Sequence, residues 1–528
     1  MPEATIVRLF DLLEKANEMD INLSLENDGL AVRFPKGKRI DQGFLNELRS
    51  SKDRLIDHLR NYQSGGLHVA KGTRISGRTD IDGKAYYEVS PIHSYWIDDK
   101  NLEFKEKMYG LFNFKILGEV DIDAFRRAVF LLIKRHESLR TTFQYADGKY
   151  LMCAEDESAP MFDIGFRDLR AASAARNADI RSFSRFYDHR FDVWKGPLFL
   201  VRLTRTGDLE YILSIKIHHS IYDGWSMEIL QRDLFTAYTA YTKKEQPDLP
   251  ELKLQYKDYM FFMRRSIREQ EEENKKYWRS IYDSLPPEPM IPGAKKTNST
   301  SSCRNGKAET FVLPPDAVQK LNKLSVKYGG GLFVVLQATV KLYFSRLTGQ
   351  GDIVIGTLVA GREDFPGFED QIGNYSKMNF IRTVLDKEDT LEDVILKVKK
   401  SNEDMRKYWS YSLISYMESM YPPGQPDPGC FRKINLQYND TRGFYVNESV
   451  FEGLSSPGID GMYPLGEDEY PVAGDNGRPS VTDLDLKWEF IDLKDRMDLF
   501  VHYDCDRYDE ETLRGLVDGY MSFLGEIL

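Results

Sequence analysis

His218-His219-Ser220-Ile221-Tyr222-Asp223-Gly224-Trp225-Ser226 joins two segments of different periodicity. Upstream, Tyr211-Ile-Leu-Ser-Ile-Lys-Ile217 is short and rich in isoleucine, the pattern of a strand. Downstream, Met227 through Tyr238 carries apolar residues at helical spacing. Alternation along the strand places Leu213, Ile215, Ile217 and His219 on one face and Ser214, Lys216 and His218 on the other. His219 is therefore expected with the apolar set at the strand's end, where a ligand channel can open. Asp223-Gly224 then makes the turn that starts the helix.

An imidazole with an unperturbed pKa of about 6.5 is suited to moving protons near neutrality. Placed beside a helix start and partly desolvated, His219 could take a proton from an incoming nucleophile, and helix amides could meet a developing negative oxygen. This is equipment for acyl transfer. No Gly-x-Ser-x-Gly elbow occurs to suggest a covalent enzyme intermediate. The bland readings compete at each position. A His-His pair at a strand end is more often structural than catalytic, Asp223 can simply cap a helix, and Trp225 reads as core. A metal site of His218, His219 and Asp223 is disfavoured because adjacent strand residues diverge.

The segment resembles the HHxxxDG signature of the condensation domains of nonribosomal peptide synthetases. Other segments follow in that family's order. Arg135-His-Glu-Ser-Leu-Arg-Thr-Thr-Phe143 resembles RHExLRTxF, Tyr256-Lys-Asp-Tyr259 resembles YxDY, and Ile372-Gly-Asn-Tyr375 through Asn379 to Arg382 resembles IGxxxNxxxxR. The likeness spans roughly residues 84 to 528. One motif departs: Ser90-Pro-Ile-His-Ser-Tyr-Trp96 stands where SxAQxRLW is usual, with His93 for Gln and Tyr95 for Arg. That departure bears on the acceptor rather than on the reaction type.

The resemblance implies an α/β fold of two chloramphenicol-acetyltransferase-like lobes, a pseudo-dimer with a central tunnel. It implies two carrier proteins, donor upstream and acceptor downstream, each presenting its substrate on a phosphopantetheine arm, with no cofactor held by the chain itself. The acceptor amine would attack the donor thioester near His219. Asp223 would be structural and paired with an arginine, for which Arg135, Arg140 and Arg382 are candidates. Gly224 would keep the turn small enough for the arm to pass. His218 would hydrogen-bond inside the lobe and shape the turn. Alternatives are an ester-forming relative or HxxxD acyltransferase with a free or unusual acceptor, and a non-catalytic scaffold that only recruits partners. A heterocyclising relative would carry aspartate in place of both histidines, and an N-terminal docking unit suits a domain receiving chains from upstream better than an epimerising one.

The chain has 528 residues, too many for one ordinary domain. Its 41% hydrophobic and 12% aromatic content suits a folded enzyme, and its net charge of −11 argues against nucleic-acid binding. No apolar run is long enough to span a membrane, and Met1-Pro-Glu-Ala-Thr lacks a signal-peptide pattern. Cys153, Cys303, Cys430 and Cys505 form no CxxC pair, which fits a reduced cytoplasmic setting. A monomer is expected.

Residues 1–62 read as a separate α+β unit: a helix over Ile6–Ala16, a hairpin of Ile21–Leu25 and Leu30–Phe34, and a helix over Gln42–Tyr62. This resembles the β-hairpin docking domains of synthetase subunits, which grip the C-terminal tail of an upstream subunit. Arg33, Lys36, Lys38 and Arg39 could pair with such a tail, or be solvated surface charges. Residues 63–83 read as a linker, 84–250 as the first lobe and 251–528 as the second. Within the second lobe, Leu252–Ser284 reads as one long helix, Ile291–Lys307 as a loop, Tyr421–Gly429 and Leu454–Pro479 as long loops, and Ser480–Leu486 as a crossover between lobes.

Overall fold

The computed structural model describes residues 22–26, 29–33, 44–45, 48, 52, 78–97, 108–157, 164–170, 186, 189–295, 304–362, 365, 367–408, 433–440, 459–464, 481–482, 484–493 and 496–528. The chain divides into a small unit, residues 1–73 with 364–366, and a large unit, residues 74–363 with 367–528.

In the small unit, β1 (Asn22–Glu26) and β2 (Gly29–Arg33) form an antiparallel hairpin. Leu23 pairs with Val32 and Leu25 with Leu30, the register that the alternation of apolar residues requires. Phe44 and Leu48, one helical turn apart, are buried. The expected helix over Ile6–Ala16, most of that over Gln42–Tyr62, and Lys36, Lys38 and Arg39 lie outside the described residues.

The large unit opens with β3 (Arg78–Ile81) and β4 (Lys84–Glu88), a short helix α1 (Pro91–Ser94), β5 (Tyr109–Gly118) and α2 (Ile122–Arg135). Then come β6 (Thr141–Ala146), β7 (Lys149–Ala154), β8 (Gly165–Asp168), β9 (Phe199–Gly207), β10 (Glu210–His218) and α3 (Gly224–Thr242). These strands form a four-stranded sheet, β3-β4-β7-β6, and most of a five-stranded sheet, β15-β5-β10-β9-β8. Residues 78–81, assigned to the linker by composition, thus belong to a sheet. The reason is local: Asp82 and Gly83 adopt φ of 50° and 79°, the left-handed pair that a tight hairpin demands. The side chain of Asp121 accepts from the Ala124 amide at 2.9 Å and caps α2, whose stripe of Ala124, Phe125, Ala128, Val129, Leu132 and Ile133 is buried.

The second half contains α4 (Tyr256–Glu269), α5 (Glu271–Tyr282), β11 (Arg304–Val312), α6 (Pro315–Tyr328), α7 (Gly331–Thr348), β12 (Asp352–Val359), β13 (Lys377–Val384) and α8 (Leu391–Lys407). It continues with β14 (Ile434–Asp440), β15 (Ile459–Pro464), β16 (Val481–Thr482), β17 (Leu486–Leu493), β18 (Arg496–Asp504) and α9 (Glu510–Ile527). Seven strands order as β13-β12-β14-β17-β18-β11-β16. One face of this sheet buries Trp488, Phe490, Leu499 and Val501 completely, in one core with α7 and α9. Each such side chain contributes on the order of 2–3 kcal/mol. The register aligns Asn435, Lys487 and His502 across the opposite, polar face, with Gln437 beside Glu489.

Four expectations are corrected. The helix over Leu252–Ser284 is two helices, broken at Gln270. Glu271, Glu272 and Glu273 favour a fresh N-terminus there, where the helix dipole welcomes negative charge. β11 begins at Arg304, inside the expected loop, because it pairs with β18 and β16. The stretch 454–479 contains β15, which pairs antiparallel with β5 of the first half. The crossover therefore lies there, while Val481–Thr482 stays in the second half's own sheet, on β11.

Candidate functional site

β10 is buried on both faces. Leu213, Ile215 and Ile217 form the apolar side as expected, but Ser214, Lys216 and His218 are also fully buried. Lys216 is accommodated because its Nζ donates to the His189 carbonyl at 2.8 Å and sits 4.0 Å from the centre of the Tyr109 ring. The strand ends at His218, and residues 219–221 form a single 3-10 turn. His219 opens that turn, and its amide still donates to the Met108 carbonyl at 2.9 Å, one step beyond the His218–Tyr109 pair of β10 and β5. The His218 ring stays in the lobe, its Nδ1 2.8 Å from Ser220 Oγ and accepting from the Ser220 amide at 3.2 Å.

Asp223 caps α3. Its Oδ1 accepts from the Ser226 amide at 2.9 Å and lies 2.8 Å from Ser226 Oγ. Its Oδ2 accepts from Arg362 Nη1 at 2.5 Å and from the Tyr375 amide at 3.1 Å. All of its acceptor directions are thus engaged away from His219. The paired arginine is Arg362, only 1% exposed in its side chain, and none of Arg135, Arg140 or Arg382. Each of those has another partner: Arg135 bridges to Asp233 at 2.9 Å, Arg140 donates to the Glu155 carbonyl, and Arg382 bridges to Asp352 at 2.6 Å. Arg362 lies 139 residues from Asp223 and outside every recognised motif, so only the folded chain shows the pair.

The motifs meet around this turn. Gly373 of the IGxxxNxxxxR-like segment donates its amide to Ser226 Oγ at 3.1 Å, and Asn374 donates from Nδ2 to the His219 carbonyl at 2.7 Å. Tyr256 of the YxDY-like segment donates its hydroxyl to the Asn374 carbonyl at 2.8 Å. Gly373 is needed because a Cβ there would meet the Tyr256 ring at 2.5 Å. His136 and Arg135 of the RHExLRTxF-like segment both contact buried Asp233 on α3, and Lys257 bridges Glu137 at 2.5 Å. Gly224 differs: a Cβ there would meet nothing within 4 Å. No neighbour in the described chain demands glycine at that exposed position, and the space beside it stays open. Trp225, read as core, is partly exposed, with the Arg362 guanidinium 5.6 Å from its ring centre.

His219 keeps part of its surface accessible. Two rings stack near it: Trp96, with centres 5.2 Å apart and planes tilted 24°, and Tyr222, with centres 4.6 Å apart and planes tilted 21°. Removal from water pushes its pKa down to about 4; Lys487 acts in the same direction and Asp223 opposes. The imidazole is therefore neutral at physiological pH and able to accept a proton. Tyr222, whose hydroxyl is 3.4 Å from His219 Nε2, stays protonated because burial raises its pKa. His93, in the degraded motif, is buried edge-on to Tyr256 and Tyr259 and is pushed down to about 3 by burial, helped by Lys377. Trp96, Tyr222 and Lys487 were not singled out from sequence, because their importance is only proximity to one ring. Among the described residues, no group of three His, Cys, Asp or Glu side chains is arranged to hold a metal, and no helix is long and apolar enough to cross a membrane.

Residues 84–421, more than half of the chain, match the family model of the condensation domain. One linear gramicidin synthase polypeptide of Brevibacillus parabrevis is 34% identical over 290 residues, which is 54% of this chain and 4% of that protein. The curated relatives are far longer: the chain spans 3 to 6% of their length. Among solved structures, the X-domain from teicoplanin biosynthesis in its complex with OxyB aligns with a TM-score of 0.67 at 20% identity, covering 88% of this chain and 96% of that one. The first condensation domain of the calcium-dependent antibiotic synthetase, solved with a substrate analogue, aligns with a TM-score of 0.62 at 15% identity, covering 84% and 96%. The mixed sheets and helices are thus the chloramphenicol-acetyltransferase-like fold. The chain belongs to the condensation-domain family, the acyl-transferring enzymes of nonribosomal peptide synthetases.

Proposed function

We propose that this chain forms an amide bond between a donor acyl thioester and an acceptor amine, each carried on the phosphopantetheine arm of a carrier protein. His219 positions the amine and accepts its proton as the nitrogen attacks the thioester carbonyl. The thiolate leaves, and the lengthened acyl chain remains on the acceptor. The observation that carries this reading is the division of labour in the turn. His219 is neutral and partly accessible, Asp223 is wholly occupied by Arg362, Ser226 and the Tyr375 amide, and open space lies beside Gly224. Asp223 therefore builds the turn and His219 is left for chemistry.

The test is transfer between loaded carriers followed by mass spectrometry of the acceptor carrier. His219→Ala should abolish the gain in mass on the acceptor. Transfer at the parent rate would refute the assignment. A hydroxyl-bearing acceptor in a parallel reaction separates ester from amide formation, a distinction raised by His93 and Tyr95 in the degraded motif. The recruitment scaffold is kept as a second reading because of the likeness to the X-domain, solved in complex with OxyB. It predicts no transfer by the parent protein.

Residues 1–62 serve, in this proposal, as a docking unit for the tail of an upstream subunit. The β1–β2 hairpin supports this by offering strand edges for addition. Deleting 1–62 should slow transfer at low donor-carrier concentration and be rescued at high concentration. A deletion without effect at either concentration would count against docking.

A further inference from the structure

The two rings beside His219 come from separate parts of the chain, Trp96 from the segment that departs from SxAQxRLW and Tyr222 from between His219 and Asp223. Trp96 follows α1, in a turn where its amide donates to the His93 carbonyl at 3.2 Å and the Ile97 amide to the Ser94 carbonyl at 3.0 Å. That turn is anchored by His93 and Ile97, which are 3% and 1% exposed, and Tyr95 meets the Trp96 ring edge-on at 5.4 Å. Tyr222 fits because residue 110 is glycine: a Cβ there would collide with the Tyr222 hydroxyl. Phe112 then meets the Tyr222 ring edge-on at 6.2 Å. Both rings are thus seated by contacts of their own and lie nearly parallel to the imidazole.

We infer that Trp96 and Tyr222 are positioning residues, an aromatic clamp that closes both faces of the His219 ring and leaves only its edge to the acceptor nucleophile. The inference rests on the reading of His219 as the proton acceptor. The physical need is clear. The terminal torsion of histidine is broad and weakly held, and a proton acceptor must keep its nitrogen within hydrogen-bond reach of the nucleophile. Flat neighbours on both faces restrict that torsion and keep water off the ring. They act in opposite senses on its charge: aromatic faces attract an imidazolium, while exclusion of water disfavours it. Burial is the largest influence on this ring. The charged groups acting on it are Asp223 from the α3 cap, which favours protonation, and Lys487 from β17, which opposes it. Opening one face should therefore raise the titration midpoint.

The experiment follows the His219 Cε1–H resonance of the full chain by NMR with isotope-labelled histidine, the signal being assigned by its loss in His219→Ala. In Trp96→Leu the midpoint should rise by about one pH unit or more toward the free value of about 6.5. Transfer at pH 7 should fall about 10-fold or more from misplacement of the ring. Trp96→Phe should restore a midpoint close to the parent's, since it retains a flat ring. A midpoint that is unmoved or lowered in Trp96→Leu overturns the clamp. Full transfer by His219→Ala would instead overturn the catalytic reading, while the titration still judges the clamp.

Discussion

Replacing Arg362 with methionine keeps much of the side chain's bulk and removes its cation. Arg362 donates to Asp223 Oδ2 at 2.5 Å, to Ser226 Oγ at 2.9 Å and to the Gln371 carbonyl at 3.0 Å, with 1% of its side chain exposed. The Asp223 side chain is 8% exposed, so the carboxylate would stay behind in a dry site. Removing one partner of a buried pair costs roughly 3–5 kcal/mol, whereas a solvent-exposed pair is worth about 1 kcal/mol or less. We therefore expect Arg362→Met to lower stability by about 3 kcal/mol or more in urea titration. Transfer should fall as well, because the segment 371–375 that holds the His219 carbonyl through Asn374 is tied to the same arginine. Asp223→Asn in the Arg362→Met background should recover part of the loss, with a coupling of about 2 kcal/mol. Arg382→Met, which removes the pair with Asp352, should leave the His219 titration unchanged. A cost below about 1 kcal/mol for Arg362→Met, or strict additivity in the cycle, would refute the view that this pair holds the turn.

Other expectations follow from the same geometry. Transfer should persist as pH is lowered from 7 and be lost as His219 protonates near pH 4, read as the acid limb of the rate profile. Stability should also decline on acidification. The buried His93, with a pKa of about 3, refuses a proton that the unfolded chain accepts below about pH 6.5, a difference of about 2 kcal/mol at pH 5. His93→Gln should therefore narrow the gap between melts at pH 7 and pH 5. Gly373→Ala, which drives a methyl into Tyr256 and Tyr375, should lower the melting temperature and the transfer rate together, whereas Gly83→Ala, which strains a turn without a clash, should affect the melt alone.

Much of the architecture was legible because it rests on local pattern. Leu213, Ile215 and Ile217 alternate as a strand must, and the hairpin of β1 and β2 follows from apolar alternation across Glu26-Asn-Asp-Gly29. Where elements depend on distant partners, pattern reading failed. β15 lies in a Gly- and Pro-rich stretch and is a strand only because β5 supplies its hydrogen bonds. The break at Gln270 is hidden in the sequence because the run of charged residues continues through it. The candidate site shows the same division. His219, Asp223 and Gly224 were readable as a motif, but the arginine was not, since three arginines within familiar motifs looked equally apt.

From residue order alone came the strand–turn–helix, the imidazole at its end, and the likeness to a family, because these depend on neighbours a few positions apart. Tertiary structure alone decided that Arg362 neutralises Asp223, that Trp96 and Tyr222 stack near His219, and that β15 joins the first half's sheet. Each of those pairings is a choice among chemically equivalent candidates, and only packing and water exclusion in the folded chain make one of them win.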